Sequence, residues 1–153
     1  MSIAPHGPGT DRSEILKKEY QQMLVVAASM MGSILIYWFV VQFLVYRPAG
    51  EQAYVRYLFY FIAMTGLPVS LILKKAWLQK KPDDSPKVLI FQLKRTTMMT
   101  MSLSEMPALL GVVLYFLSGL RQDFYVLALY SFLLLVVFFP RWNQWQEYTQ
   151  NAL

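Results

Sequence analysis

The residue of this sequence that is most capable of chemistry is Glu105, which lies within an otherwise uncharged stretch. It comes ten residues after Arg95, which is about 15 Å along a helix at 1.5 Å per residue, so it reaches roughly the middle of a bilayer. An ionised carboxylate is costly at that depth, and desolvation favours its protonated form. Three interpretations stay open: a carboxyl that binds and releases a proton or another ion, one that contacts a ligand, and one that hydrogen-bonds a neighbouring helix.

Small residues recur around Glu105 at three- and four-residue spacing, which places them on one side of a helix. Small side chains let helices approach each other closely in lipid. We therefore predict that Ser104, Ala108 and Gly111 form a helix-packing face. Two prolines within apolar stretches, Pro68 and Pro107, are predicted to bend their helices because proline removes a backbone hydrogen bond.

The stretch LKRTTMMTMSLSEMPALLGVVLYFL resembles the carboxylate-bearing second helix of the c subunit of rotary ATP synthases. The shared parts are a basic entry from a polar cytoplasmic loop, here Lys94 and Arg95, a run of small and apolar residues, the mid-membrane carboxylate Glu105, and an apolar exit that contains Gly111. The resemblance covers 25 of the 153 residues. It implies that Glu105 is a proton or sodium site.

The composition excludes most other chemistry. Apolar residues make up 56% of the 153 residues and charged residues only 15%, against about 25% charged in an ordinary soluble domain. Without cysteine the chain cannot build iron–sulfur clusters or thiolate zinc sites, and with the single histidine His6 it cannot supply a pair of haem ligands. The sequence also contains no phosphate-binding loop, nucleophile elbow or metal-spaced cluster. We therefore expect an integral membrane protein that is not an enzyme and that holds no cofactor or metal.

Four apolar stretches approach the roughly 20 residues that a helix needs to cross a bilayer. Because unsatisfied backbone groups are costly in lipid, these stretches should be helical, and short connections should make successive helices antiparallel neighbours. The sequence thus predicts an all-α, up-and-down bundle of four transmembrane helices. The predicted spans are residues 23–46, 57–73, 96–120 and 124–140, within a transmembrane domain of residues 23–140. Around them lie an N-terminal segment (1–22) with a surface helix or an extension of the first span, a basic loop (74–95), a tight turn (121–123) and an interfacial tail (141–153).

The distribution of positive charge predicts the orientation. Eleven Lys and Arg residues fall in the two terminal segments and the basic loop, and three fall in the other two connections. The positive-inside rule then places both termini in the cytoplasm. Lysines close to the membrane are candidates for contact with anionic lipids: Lys74, Lys75, Lys80 and Lys81. Aromatic residues that follow the second and fourth spans are predicted to anchor the chain at the membrane interface: Trp77, Trp142, Trp145 and Tyr148.

The small size and the absence of cofactor ligands favour an accessory or scaffolding subunit of a larger complex in a bacterial cytoplasmic (inner) membrane. Its expected partners are other membrane subunits or further copies of the chain, together with lipids; no nucleic acid is expected, because the basic residues occupy the positions that topology requires. The alternative is a subunit that translocates protons or ions through Glu105, either in a rotor or in a transporter. The surroundings of Glu105 separate these functions, because a structural carboxyl is sealed among its neighbours and a translocating one faces a polar route.

Overall fold

The computed structural model describes residues 8–44, 53–77 and 86–150. These residues form five helices and no strand, which confirms the all-α prediction. The helices are α1 (Pro8–Phe43), α2 (Ala53–Trp77), α3 (Pro86–Ser118), α4 (Arg121–Val137) and α5 (Trp142–Gln150). Three of them contain stretches that are long and apolar enough to cross a membrane: Ser13–Phe43, Tyr54–Ala76 and Val88–Ser118. The chain therefore has the character of a multi-pass membrane protein.

The helices extend beyond the spans expected from hydropathy. Helix α1 runs without a break from Pro8 to Phe43, so the segment before Met23 continues the first span and is not a separate surface helix. The basic loop predicted over residues 74–95 is shorter, since α2 continues to Trp77 and α3 already begins at Pro86. The polar residues of these extensions, mainly Lys, Gln and Glu, are good helix formers. A helix therefore does not have to end where the hydrocarbon ends.

Helix α3 is the centre of the structure. It packs against α4 along most of the length of α4, against α2 on one flank and against α1 on the other, while α1 and α4 also touch. Among the described residues, no Cα atom of α1 lies within 8 Å of α2. The expectation that successive helices are neighbours therefore fails for this pair. The nine residues that join them can span about 30 Å when extended, which is enough to reach the opposite flank of α3.

The connection between α3 and α4 is shorter than the sequence suggested. Only Gly119 and Leu120 separate the two helices, and Gly119 has a φ of 72°, a left-handed conformation that favours glycine. The predicted turn over residues 121–123 instead forms the first turn of α4. Asp123 suits this position because its negative charge interacts favourably with the positive end of the helix dipole.

The main apolar core lies where α1, α3 and α4 meet. Its buried side chains come from all three helices and include Ala27, Ile34, Met101, Phe124 and Leu135. A second cluster joins α1, α3 and α5, and a smaller one joins α2, α3 and α4. These contacts fix which face of α3 each neighbour meets, and so they determine the surroundings of Glu105.

Candidate functional site

Glu105 links α3 to α1. Its Oε1 atom accepts a hydrogen bond of 2.8 Å from the Tyr37 hydroxyl and also contacts the Ser33 hydroxyl. Ser33 and Tyr37 lie four residues apart, so both project from the same face of α1. The glutamate side chain is half-buried. The carboxyl thus connects two helices inside the predicted membrane region while part of it stays accessible.

The Ser33 hydroxyl reaches two acceptors. Its Oγ atom lies 2.7 Å from the Met30 carbonyl oxygen of its own helix and also contacts Glu105 Oε1. Because a serine hydroxyl has one proton to donate, these two acceptors share it, while the Tyr37 hydroxyl donates its own proton to Glu105.

Two of the three predicted packing residues, Ser104 and Gly111, contact α4, and Ala108 lies in the core where α1, α3 and α4 meet. Ser104 and Ala108 are fully buried, and the Ser104 carbonyl oxygen accepts a 2.6 Å hydrogen bond from the Ser131 hydroxyl of α4. At Gly111 the two helices leave no room for a side chain, because a Cβ atom added there would lie 3.1 Å from the Leu127 Cβ. Ser104 and Gly111 therefore contact α4, whereas Glu105 contacts α1.

The two prolines lie inside continuous helices, Pro68 in α2 and Pro107 in α3. Pro107 cannot donate a hydrogen bond to the carbonyl of Leu103. Helix α2 passes that carbonyl at Gly66, where an added Cβ would lie 3.8 Å from the Leu103 oxygen. Proline and glycine thus occur where α2 and α3 approach each other, and the bending expected at the prolines stays a prediction.

A second polar cluster, which was not predicted from the sequence, joins α2 to α4. Arg56 Nη2 lies 2.7 Å from Asp123 Oδ1, which also accepts a 2.9 Å hydrogen bond from the Tyr60 hydroxyl. The Asp123 side chain is 1% exposed and that of Arg56 is 37% exposed, while Asp123 Oδ2 is buried without a hydrogen-bond partner. The predicted spans place Arg56 and Asp123 in separate connections. The only signal was the four-residue spacing of Arg56 and Tyr60, which places them on one helix face.

Helix α5 folds back onto α1 and α3 through aromatic residues. Trp145 is 2% exposed and packs in a cluster with Leu16 and Leu93, and its ring lies 5.7 Å from that of Tyr20. The Trp142 ring makes an edge-to-face contact with the same tyrosine, with the ring centroids 5.0 Å apart. The Tyr20 hydroxyl donates a 3.2 Å hydrogen bond to the Pro140 carbonyl oxygen. Trp145 therefore attaches α5 to the helices and not, as predicted, to the lipid headgroups. An indole that is surrounded by helices has no surface left for lipid.

The remaining predicted contact residues are only partly described by the structure. Lys74 is half-buried and Lys75 is exposed at the end of α2. Lys80 and Lys81 lie outside the described residues, as do the side chains of Trp77 and Tyr148. Interface anchoring and lipid contact by these residues stay predictions.

Neither metal-ligating residues nor similarity to known proteins indicates a chemistry for the described part of the chain. Within residues 8–44, 53–77 and 86–150, no group of three or more His, Cys, Asp or Glu side chains could hold a metal ion. Comparison with protein families, with curated proteins and with solved structures found no match to this chain. The likeness of α3 to the rotary c subunit thus depends on the sequence pattern alone, and the interpretation of the site depends on its geometry.

Proposed function

We propose that the chain is a non-catalytic accessory subunit that scaffolds a larger membrane protein complex. The observation that carries this proposal is the use of Glu105 within the fold. The Ser33 and Tyr37 hydroxyls of α1 both contact the same carboxylate oxygen, so the carboxyl of α3 is occupied in joining the two helices. Interhelical hydrogen bonds of this kind hold membrane helices together without catalysis.

The flanking helices supply surfaces for partners. Only 17% of the most apolar stretch of α1 and 11% of that of α2 are buried, against 44% for α3. Large apolar side chains project from these helices, among them Phe39 and Phe43 on α1 and Tyr57 and Phe61 on α2. Because α1 and α2 lie on opposite flanks of α3, the chain can contact two neighbours at once. That is a geometry suited to a subunit that joins others.

The proposal includes four membrane spans with both termini in the cytoplasm of a bacterium. Helix α4 is apolar and has 17 residues, or about 25 Å at 1.5 Å per residue, slightly less than the bilayer core of about 30 Å. The two-residue connection from α3 makes α4 return beside it. If α3 crosses the membrane, α4 therefore has to cross it in the opposite direction. The eleven-to-three distribution of Lys and Arg supports the orientation.

Native mass spectrometry of the complex extracted in mild detergent tests the scaffold function, because it reports partners and copy number together. We expect the chain to appear with other membrane subunits in a fixed stoichiometry. Detection of the chain only as a monomer, under conditions that keep a known membrane complex from the same cells intact, would contradict the proposal.

Ion translocation through Glu105 is the second candidate function. It is favoured by the partial exposure of the glutamate side chain, which leaves part of the carboxyl accessible. Glu105→Gln separates the two functions. The amide oxygen of glutamine can still accept both hydroxyl hydrogen bonds, so a scaffold should keep its stoichiometry, whereas an amide cannot take up and release a proton.

A carboxyl-reactive carbodiimide provides the complementary measurement. A translocating Glu105 should be labelled in native membranes, with labelling that decreases as the pH rises, because the protonated carboxyl is the reactive form. Glu105→Gln is the control and should remain unlabelled. A wild-type carboxyl that is unlabelled at every pH, in the isolated chain as well as in the complex, would exclude the translocation function.

A further inference from the structure

A cavity of about 280 Å³ lies between the N-terminal parts of α1 and α3. It is lined by Ile15 and Glu19 of α1 and by Ile90, Phe91 and Lys94 of α3. Lys94 Nζ donates a 2.7 Å hydrogen bond to Glu19 Oε2 and so joins the two helices at one side of the cavity. Phe91 is 65% exposed and Ile15 is 40% exposed, which leaves the apolar side of the cavity open.

With Glu105 at its predicted place in the middle of the bilayer, the depth of the cavity argues against a lipid as its occupant. Relative to Glu105, Lys94 lies eleven residues and Phe91 fourteen residues closer to the N-terminus of α3, or about 16 Å and about 21 Å along the helix. The hydrocarbon core extends only about 15 Å from its middle. The charged side of the cavity is therefore nearer to the membrane and its apolar side is farther out. A phospholipid has the reverse order, with its charges outside its acyl chains.

The chain itself shows what kind of segment fits this helix pair. On the adjoining flank, α5 covers α1 and α3 and inserts Trp145 beside Leu16 and Leu93. Leu16 follows Ile15 by one residue, which is a rotation of about 100° around α1. Helix α5 is short and amphipathic, and it contains Glu147 and no basic residue. One flank of the pair is thus covered by a short amphipathic helix that inserts an aromatic side chain, and the other flank is open.

We propose that the open cavity binds an apolar side chain of an acidic, amphipathic helix that belongs to a partner subunit. This inference rests on the proposed scaffold function and names the site where the partner's cytoplasmic part docks. The volume is slightly below the range of about 300–1,000 Å³ of small-molecule pockets, and it suits one or two side chains. The predicted cytoplasmic side carries eleven basic and six acidic residues, so its charge attracts an acidic segment.

Photocrosslinking in native membranes tests the proposal. A benzophenone amino acid is incorporated in place of Phe91, and in a control chain in place of Leu133, which is 53% exposed on α4. We expect the position of Phe91 to react with another polypeptide, at a segment with more acidic than basic residues, and the control to react with lipid. The substitutions Phe91→Ala and Leu133→Ala are then compared by native mass spectrometry. Only Phe91→Ala should lose the crosslinked subunit.

Each other result overturns the docking site. Adducts at position 91 with lipid, with a second copy of this chain or with a basic segment exclude the proposed partner, and so does a yield no higher than at position 133. Unchanged partner content of the Phe91→Ala complex also excludes it. If native mass spectrometry still finds fixed partners in these cases, the scaffold function stands and only the docking site is wrong.

Discussion

The substitution Gly111→Ala gives the sharpest test of the packing between α3 and α4. The added Cβ would lie 3.1 Å from the Leu127 Cβ, and 3.3 Å from both the Cα and the Cδ2 of Phe124. Two of these three atoms are fixed to the backbone of α4, and Phe124 is completely buried. The new methyl group therefore cannot be accommodated by a rotamer change alone. Helix α4 has to move away from α3.

The control is Gly32→Ala in α1, where an added Cβ meets no atom within 4 Å. Both substitutions replace a helical glycine and gain up to about 1 kcal/mol of helix propensity. This gain cancels when the two variants are compared. The difference between them is the cost of overpacking, which is about 1–3 kcal/mol. At about 2–4 °C per kcal/mol for a chain of this size, the apparent melting temperatures should differ by about 2–12 °C.

Thermal unfolding of both variants in the same detergent, at one scan rate because unfolding is expected to be irreversible, provides the measurement. We expect Gly32→Ala to melt at or above the temperature of the wild-type protein and Gly111→Ala to melt below the control. Equal melting temperatures would refute the close approach of α3 and α4 at this glycine. Gly111→Leu should lower the melting temperature further, because the larger side chain displaces α4 more.

Three further predictions concern polar groups and topology. Removing one partner of the ion pair between α2 and α4 should have unequal effects. Arg56→Met leaves a buried carboxylate without its cation, whereas Asp123→Asn leaves an arginine that can reach water. Arg56→Met should therefore lower the melting temperature more, and equal or reversed effects would contradict this. Tyr37→Phe removes the hydroxyl that donates to Glu105 and should destabilise the protein much less when Glu105→Leu is already present; a double-mutant cycle with additive effects would exclude the contact. Reporter fusions should place the C-terminus in the cytoplasm and Gly50 on the opposite side, and a C-terminus outside the cytoplasm would rule out the proposed topology.

Several properties could be read from the sequence because they depend on local composition. A long apolar stretch in lipid has to satisfy its backbone hydrogen bonds internally. The long apolar stretches therefore predicted helices, and α1, α2 and α3 are helices apolar enough to span a membrane. The position of Glu105 well inside a long helix followed from counting residues along the sequence. Gly111 could be predicted at a packing position because small residues recur near it on one helical face.

The contacts between helices could not be read in this way. In a soluble helix an apolar stripe shows which face packs inward, but in α1 and α2 both the packed and the lipid-facing sides are apolar. The sequence therefore left open that α1 turns Tyr37 toward Glu105, and that Arg56 meets Asp123, 67 positions further along the chain. Only the rotation and position of complete helices around α3 decided these contacts. The same packing buried Trp145 and separated α1 from α2. The sequence could not show how α1 and α2 are placed, because the hydropathy pattern of a helix that is apolar on all sides stays the same when the helix is rotated.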